Sequence, residues 1–180
     1  MQVEGLPPLL GLVQSSDGED WRSRSLLGEV DFHSLEVVDG TVYGWDASSG
    51  TLMVSADRQN WQSRAPIALS DFTVGDGYLL AVDGRRVLRS TDDGATWEVI
   101  ADQPLALVVD AGSSLIGADR SGAVLASEDR GQTWTSRGTL GGSPEALLFA
   151  SDRLVAAVQG LGIVASDDGG ASWQALAAAE

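Results

Sequence analysis

The chain is 180 residues long and 43% hydrophobic, which describes a globular chain able to bury a sizeable core, not a disordered one. It has no cysteine, so disulfides and thiol chemistry are excluded. Its formal net charge is −15, from 26 acids against 11 bases that are all arginine, and this balance argues against a nucleic-acid partner.

Residues 1–8, ending Pro7-Pro8, read as an irregular lead-in with neither the positive start nor the apolar core of a signal peptide. Residues 9–25 hold an apolar run, a turn-rich stretch and a segment opening at Trp21, which makes two strands. Residues 32–64 make four: 32–38, 41–46 after a hairpin turn at Asp39-Gly40, 52–54 and 61–64. The unit 71–100 repeats this with strands at 72–74, 78–83, 87–89 and 97–100. The unit 105–137 has them at 105–109, 114–119, 124–126 and from 134, and the unit 145–177 at 146–150, 153–158, 163–165 and 173–176. Helical periodicity is absent, and no run reaches the length of a transmembrane helix, so essentially no helix and no membrane span are expected.

One pattern recurs ahead of each last strand. Ser90-x-Asp92-x-Gly94-x-Thr96-Trp97 returns as Ser127, Asp129, Gly131, Thr133 and Trp134, and as Ser166, Asp168, Gly170, Ser172 and Trp173. Shorter copies carry Ser15, Asp17 and Trp21, then Ser55, Asp57 and Trp61. The tryptophans recur every 36 to 40 residues, a period that with four short strands predicts propeller blades. Each residue type suits a tight hairpin loop. Asp binds nearby backbone N–H groups, Gly takes conformations that others resist, Ser or Thr bonds locally, and Trp opens the last strand and buries its ring between blades. The fourth position of the second strand is always small (Gly44, Ala81, Gly117, Ala156), which predicts close approach of neighbouring blades. Acids near glycine invite a calcium reading, but EF-hand spacing and its closing Glu are missing, so no metal or cofactor is expected.

The pattern resembles the Asp-box, or BNR repeat, of sialidases and other β-propellers. The resemblance implies an all-β propeller of four-stranded antiparallel blades, about four complete and one half, with the boxes joining third and fourth strands. The half blade leaves three readings open: part of a larger ring, an open arc, or completion by a second copy through open blade edges. The fragment reading is favoured, because the segment 9–71 is similar to the middle of bacterial secreted or lipid-anchored propellers labelled glycosyl hydrolase-like. That likeness also implies a place at the cell envelope or outside the cell.

In such propellers the functional pocket faces away from the boxes, at the central channel. Three second strands end there in acids, Asp46, Asp83 and Asp119, and the fourth ends in Val158. Beside them stand Arg85, Arg86 and Arg120, and the connections between blades add Asp31, His33, Asp71 and Asp102. Asp31, His33, Asp46, Asp71, Arg85, Arg86, Asp119 and Arg120 are therefore the candidate ligand-binding residues. A glycosidase needs two carboxylates at a set separation, and this group can supply a pair. Asp before Ser or Gly is equally a turn former, and a lone His without a nucleophile partner reads as packed or channel-lining. The arginine triad and Tyr–Glu pair of sialidases have no counterparts here, so no catalytic residue is assigned. Three functions stay open: a non-catalytic module binding a glycan or protein, a glycoside hydrolase with an incomplete site, and an assembly scaffold such as the photosystem-assembly Asp-box propellers.

Overall fold

A computed structural model describes residues 8–177. The fold is all-β, built from four four-stranded antiparallel blades of a β-propeller, with no helix among the described residues. Contacts divide the chain into two compact units, Met1–Ala68 and Leu69–Glu180.

The first unit opens with a two-stranded sheet, β1 (Leu12–Gln14) and β2 (Arg22–Ser25). One full blade follows: β3 (Phe32–Val38), β4 (Thr41–Asp46), β5 (Thr51–Ser55) and β6 (Gln62–Pro66). The alternation in β4 is strict, with Val42, Gly44 and Asp46 buried on one face. The second unit holds three blades. They are β7 (Asp71–Gly75), β8 (Tyr78–Val82), β9 (Val87–Ser90) and β10 (Glu98–Ala101); β11 (Leu107–Asp110), β12 (Leu115–Ala118), β13 (Ala123–Ser127) and β14 (Thr135–Thr139); and β15 (Pro144–Ala150), β16 (Arg153–Val158), β17 (Gly162–Ser166) and β18 (Gln174–Ala177). Every blade pairs its strands in chain order. The pairing of each outermost strand slips by one bulge, at Leu12/Val13, Thr51/Met53, Val99/Ala101, Val124/Leu125 and Ile163/Val164. A bulge repeated at one place in each pair sharpens the strand twist there.

In the second unit the core lies between blades. Leu80, Val82 and Val87 of one blade pack on Leu105, Val108 and Leu115 of the next, with Trp134 against them. Ile116, Val124 and Ala126 pack on Leu154, Ala156 and Val164 of the last blade, with Trp173 against them. A four-stranded sheet that is apolar on both faces buries that surface only by stacking, so the blades stabilise each other.

Three expectations need correction. Trp21 does not bury its ring: it is 62% exposed, in a sheet that has two strands among the described residues. The tryptophans close the loops and do not open the strands, which begin one residue later; the indole N–H groups of Trp134 and Trp173 donate back to the Gly131 and Gly170 carbonyls. Two of the small residues of the second strands, Gly44 and Gly117, make room within a blade, whereas Ala156 belongs to the core between blades. A Cβ at Gly44 would lie 2.6 Å from the Phe32 ring and 2.9 Å from Leu35, and one at Gly117 would lie 2.6 Å from Leu105 and 3.1 Å from Trp134. Phe32 in turn stacks on Trp61 at 5.1 Å.

Candidate functional site

The repeat loops are built alike. The serine hydroxyl donates to the aspartate in all five, from Ser15 to Asp17, Ser55 to Asp57, Ser90 to Asp92, Ser127 to Asp129 and Ser166 to Asp168, at 2.8–3.2 Å. In the three full copies it also accepts the N–H of Gly94, Gly131 or Gly170 at 2.8–2.9 Å. The second oxygen of Asp92, Asp129 and Asp168 accepts the hydroxyl of Thr96, Thr133 and Ser172 at 2.5–2.7 Å, and in the second loop the Asn60 amide replaces that hydroxyl. Hydrogen bonds to the ionised form lower a carboxyl pKa. The Thr96 hydroxyl and N–H hold Asp92 at about 2, and those of Thr133 hold Asp129 at about 2. The Asn60 N–H and amide lower Asp57, the Ser172 hydroxyl and N–H lower Asp168, and the Asp20 and Glu19 N–H groups lower Asp17. The residue after the aspartate takes a left-handed conformation at Arg58, Asp93 and Arg130, with φ of 63°, 60° and 59°. Non-glycine residues adopt it at a cost, which the surrounding hydrogen bonds offset.

The glycines of these loops meet the neighbouring blade. Gly131 has φ +87°, and a Cβ there would lie 2.7 Å from the Leu80 Cδ1 of the preceding blade. Gly170 has φ +88° and stands in the same relation to Val124 Cγ1, at 2.8 Å. Both conformation and packing therefore demand glycine at these two positions.

The candidate acids at the ends of the second strands serve their own loops. In the first unit Asp46 is 3% exposed. Its carboxylate accepts the Asp31 and Ser48 N–H groups and the Ser48 and Ser49 hydroxyls. Burial pushes its pKa up, but the Ser49 hydroxyl and the Asp31 N–H outweigh it and bring it to about 2. The Asp31 carboxylate lies 3.1 Å from His33 Nε2, and the imidazole meets Trp45 edge-on at 6.2 Å. Asp31, His33 and Asp46 thus come together.

In the second unit Asp83 accepts the Arg85 and Arg86 N–H groups and the Arg86 guanidinium, at 2.7–3.0 Å. Asp119 accepts the Ser121 N–H and hydroxyl and the Ala123 N–H, at 2.6–3.0 Å. Partial burial raises both, yet the Arg86 hydrogen bonds lower Asp83 and the Ser121 hydroxyl lowers Asp119, and the net direction is down. Asp71 joins two blades by accepting the Val108 N–H at 3.0 Å. Arg85 and Arg120 are exposed on their loops, and Asp102 is exposed in the connection after β10. No group of three or more His, Asp or Glu side chains among the described residues has the arrangement of a metal site.

Sequence reasoning missed a pocket of about 280 Å³ between the β7–β10 and β11–β14 blades. It lies on the side of the repeat loops, between the Gly75–Tyr78 turn, the Asp110–Leu115 turn and the Ser127–Arg130 loop. The Tyr78 hydroxyl donates to Asp110 Oδ2 at 3.1 Å across the blade boundary. The other Asp110 oxygen accepts the Gly112 N–H at 2.7 Å, and the Asp110 N–H donates to Thr73 at 3.0 Å. The Arg130 guanidinium lies 5.7 Å from the Tyr78 ring centre, while the ring covers Gly75 closely enough to leave no room for a Cβ. Burial, then the Asp110 charge, pushes the phenol up to about 12. A clue was present in sequence, since Tyr78 follows Gly75-Asp76-Gly77, a turn whose glycine lets a ring fold back.

Comparison with solved structures places the fold among propellers of other lineages. The chain is similar to YCF48 from Cyanidioschyzon merolae, with 18% identity and a TM-score of 0.62, covering 79% of this chain and 55% of that one. It is similar to YCF48 bound to D1 peptide, with 17% identity and a TM-score of 0.62, covering 94% of this chain and 56% of that one. It is also similar to a chain of a nidogen/laminin complex, with 15% identity and a TM-score of 0.68, covering 82% of this chain and 64% of that one. The chain thus spans between about half and two thirds of these neighbours. No protein-family model matches it, and no curated protein does.

Proposed function

We propose that the chain is a non-catalytic Asp-box β-propeller that binds a peptide or protein partner. One observation carries the non-catalytic reading. The carboxylates that end the second strands, Asp46, Asp83 and Asp119, are engaged by their own loops, and each is held below its ordinary pKa. A glycoside hydrolase requires the opposite of at least one carboxyl, a raised pKa that keeps a proton for the leaving oxygen. The like geometry of all five repeat loops supports the Asp-box reading. Neighbours in complexes with a peptide and with laminin support a macromolecular partner over a small substrate. A place at the cell envelope or outside the cell follows from the family resemblance and belongs to the same proposal.

The test offers the immobilised chain a peptide array and a glycan array, and the soluble chain a panel of aryl glycosides. Peptide binding without aryl release is expected. Turnover that disappears in folded Asp46→Asn or Asp119→Asn variants would overturn the reading, and binding confined to the glycan array would replace the ligand class.

A further inference from the structure

We propose that the pocket between the β7–β10 and β11–β14 blades receives a positively charged side chain, Lys or Arg, of a bound peptide. The proposal rests on the binding reading above and gives that partner a chemistry. The cavity carries it. At about 280 Å³ it falls just under the roughly 300–1,000 Å³ of pockets that enclose drug-sized ligands, so it suits one side chain better than a sugar chain.

Its walls are fixed before any ligand arrives. Two different blades are tied together by the bonds from Tyr78 to Asp110 and from Asp110 to Thr73, and Tyr78 is wedged over Gly75. Pre-set walls reduce the ordering cost of binding. The lining then sets the sign of the ligand. Asp76, Asp110 and Glu128 outnumber the two cations near them, Arg130, whose guanidinium is already turned to the Tyr78 ring, and Arg89, whose charge also reaches the Tyr78 phenol. Asp110 is held by its neighbours, whereas Asp76 and Glu128 are exposed. The excess negative charge and the Ser114 side chain offer acceptors to an ammonium or guanidinium, which brings only donors.

The test is a 1H–15N titration of the whole chain with acetyl-Gly-Arg-Gly-amide, its Lys counterpart and the neutral citrulline analogue. The two cationic peptides are expected to shift the amides of Gly77, Gly112 and Ser113, and the citrulline peptide to leave them in place. The double variant Asp76→Asn/Glu128→Gln is expected to weaken the Arg peptide about tenfold, the sum of two exposed charge contacts, with its fold checked by an unchanged melting curve. Equal shifts with citrulline, or no shift at saturating Arg peptide, would overturn the proposal. A partner from the peptide array that binds the double variant undiminished would sink this pocket while leaving the binding reading intact.

Discussion

Replacing Gly131 by alanine tests how the blades are joined. Gly131 holds φ +87°, and a left-handed conformation costs an L residue about 1–2 kcal/mol. The added methyl would also lie 2.7 Å from Leu80 Cδ1, 3.3 Å from Ile100 Cδ1 and 3.4 Å from Val87 Cγ1, all in the preceding blade. Overpacking of this kind costs about 1–3 kcal/mol, so the two effects together predict a loss of about 2–5 kcal/mol. Gly84 separates them. Its φ is +82°, yet nothing lies within 4 Å of a Cβ there, so Gly84→Ala should cost only the conformational part, about 1–2 kcal/mol. Urea unfolding of both variants, with the slope unchanged, measures the difference. Equal losses would refute the inference that the loop glycine is a contact between blades.

Acid should loosen the repeat loops. Asp92 and Asp129 sit at about 2 in the folded chain against an ordinary 3.8, so the unfolded chain takes up protons first as pH falls. Their stabilisation is whole above about pH 4 and drains as pH drops through about 2, and Asp129→Asn should flatten the pH dependence of the urea midpoint between pH 5 and 2. Trp134→Ala removes a half-buried ring packed against the core between two blades and should cost about 2–3 kcal/mol, less than a fully buried ring, while Trp21→Ala, at an exposed ring, should change the denaturation midpoint little. Gly44→Ala drives a methyl into the Phe32 ring and should cost about 1–3 kcal/mol by the same measurement. Phe32 must then shift against Trp61, 5.1 Å away, and the proton shifts that each ring imposes on the other should change.

The repeat made the all-β blade architecture legible, because a hairpin loop, a bulky ring and an alternating strand recur in register along one chain. What stayed hidden depends on neighbours. Trp21 reads like Trp134 in sequence, but only the sheet around it decides whether the ring is covered. Gly44 and Gly117 read as contacts between blades, and their space goes instead to Phe32, Leu105 and Trp134 of their own blades. Asp46, Asp83 and Asp119 read both as a column facing a channel and as turn formers, and the N–H group two residues further on binds each carboxylate. The pocket was the least legible feature. Asp76, Tyr78, Asp110, Glu128 and Arg130 come from three loops, and Tyr78 and Asp110 have no counterpart at the matching places of the other blades, so periodicity gives no sign that they meet.

The account turns on carboxylates that hold loops instead of handling protons. A 13C-detected pH titration of the aspartate side chains tests this directly. Asp46 should titrate near 2, with Asp83 and Asp119 below 3.8. Any one of the three still protonated well above that value would mark an acid poised for chemistry and contradict the non-catalytic reading.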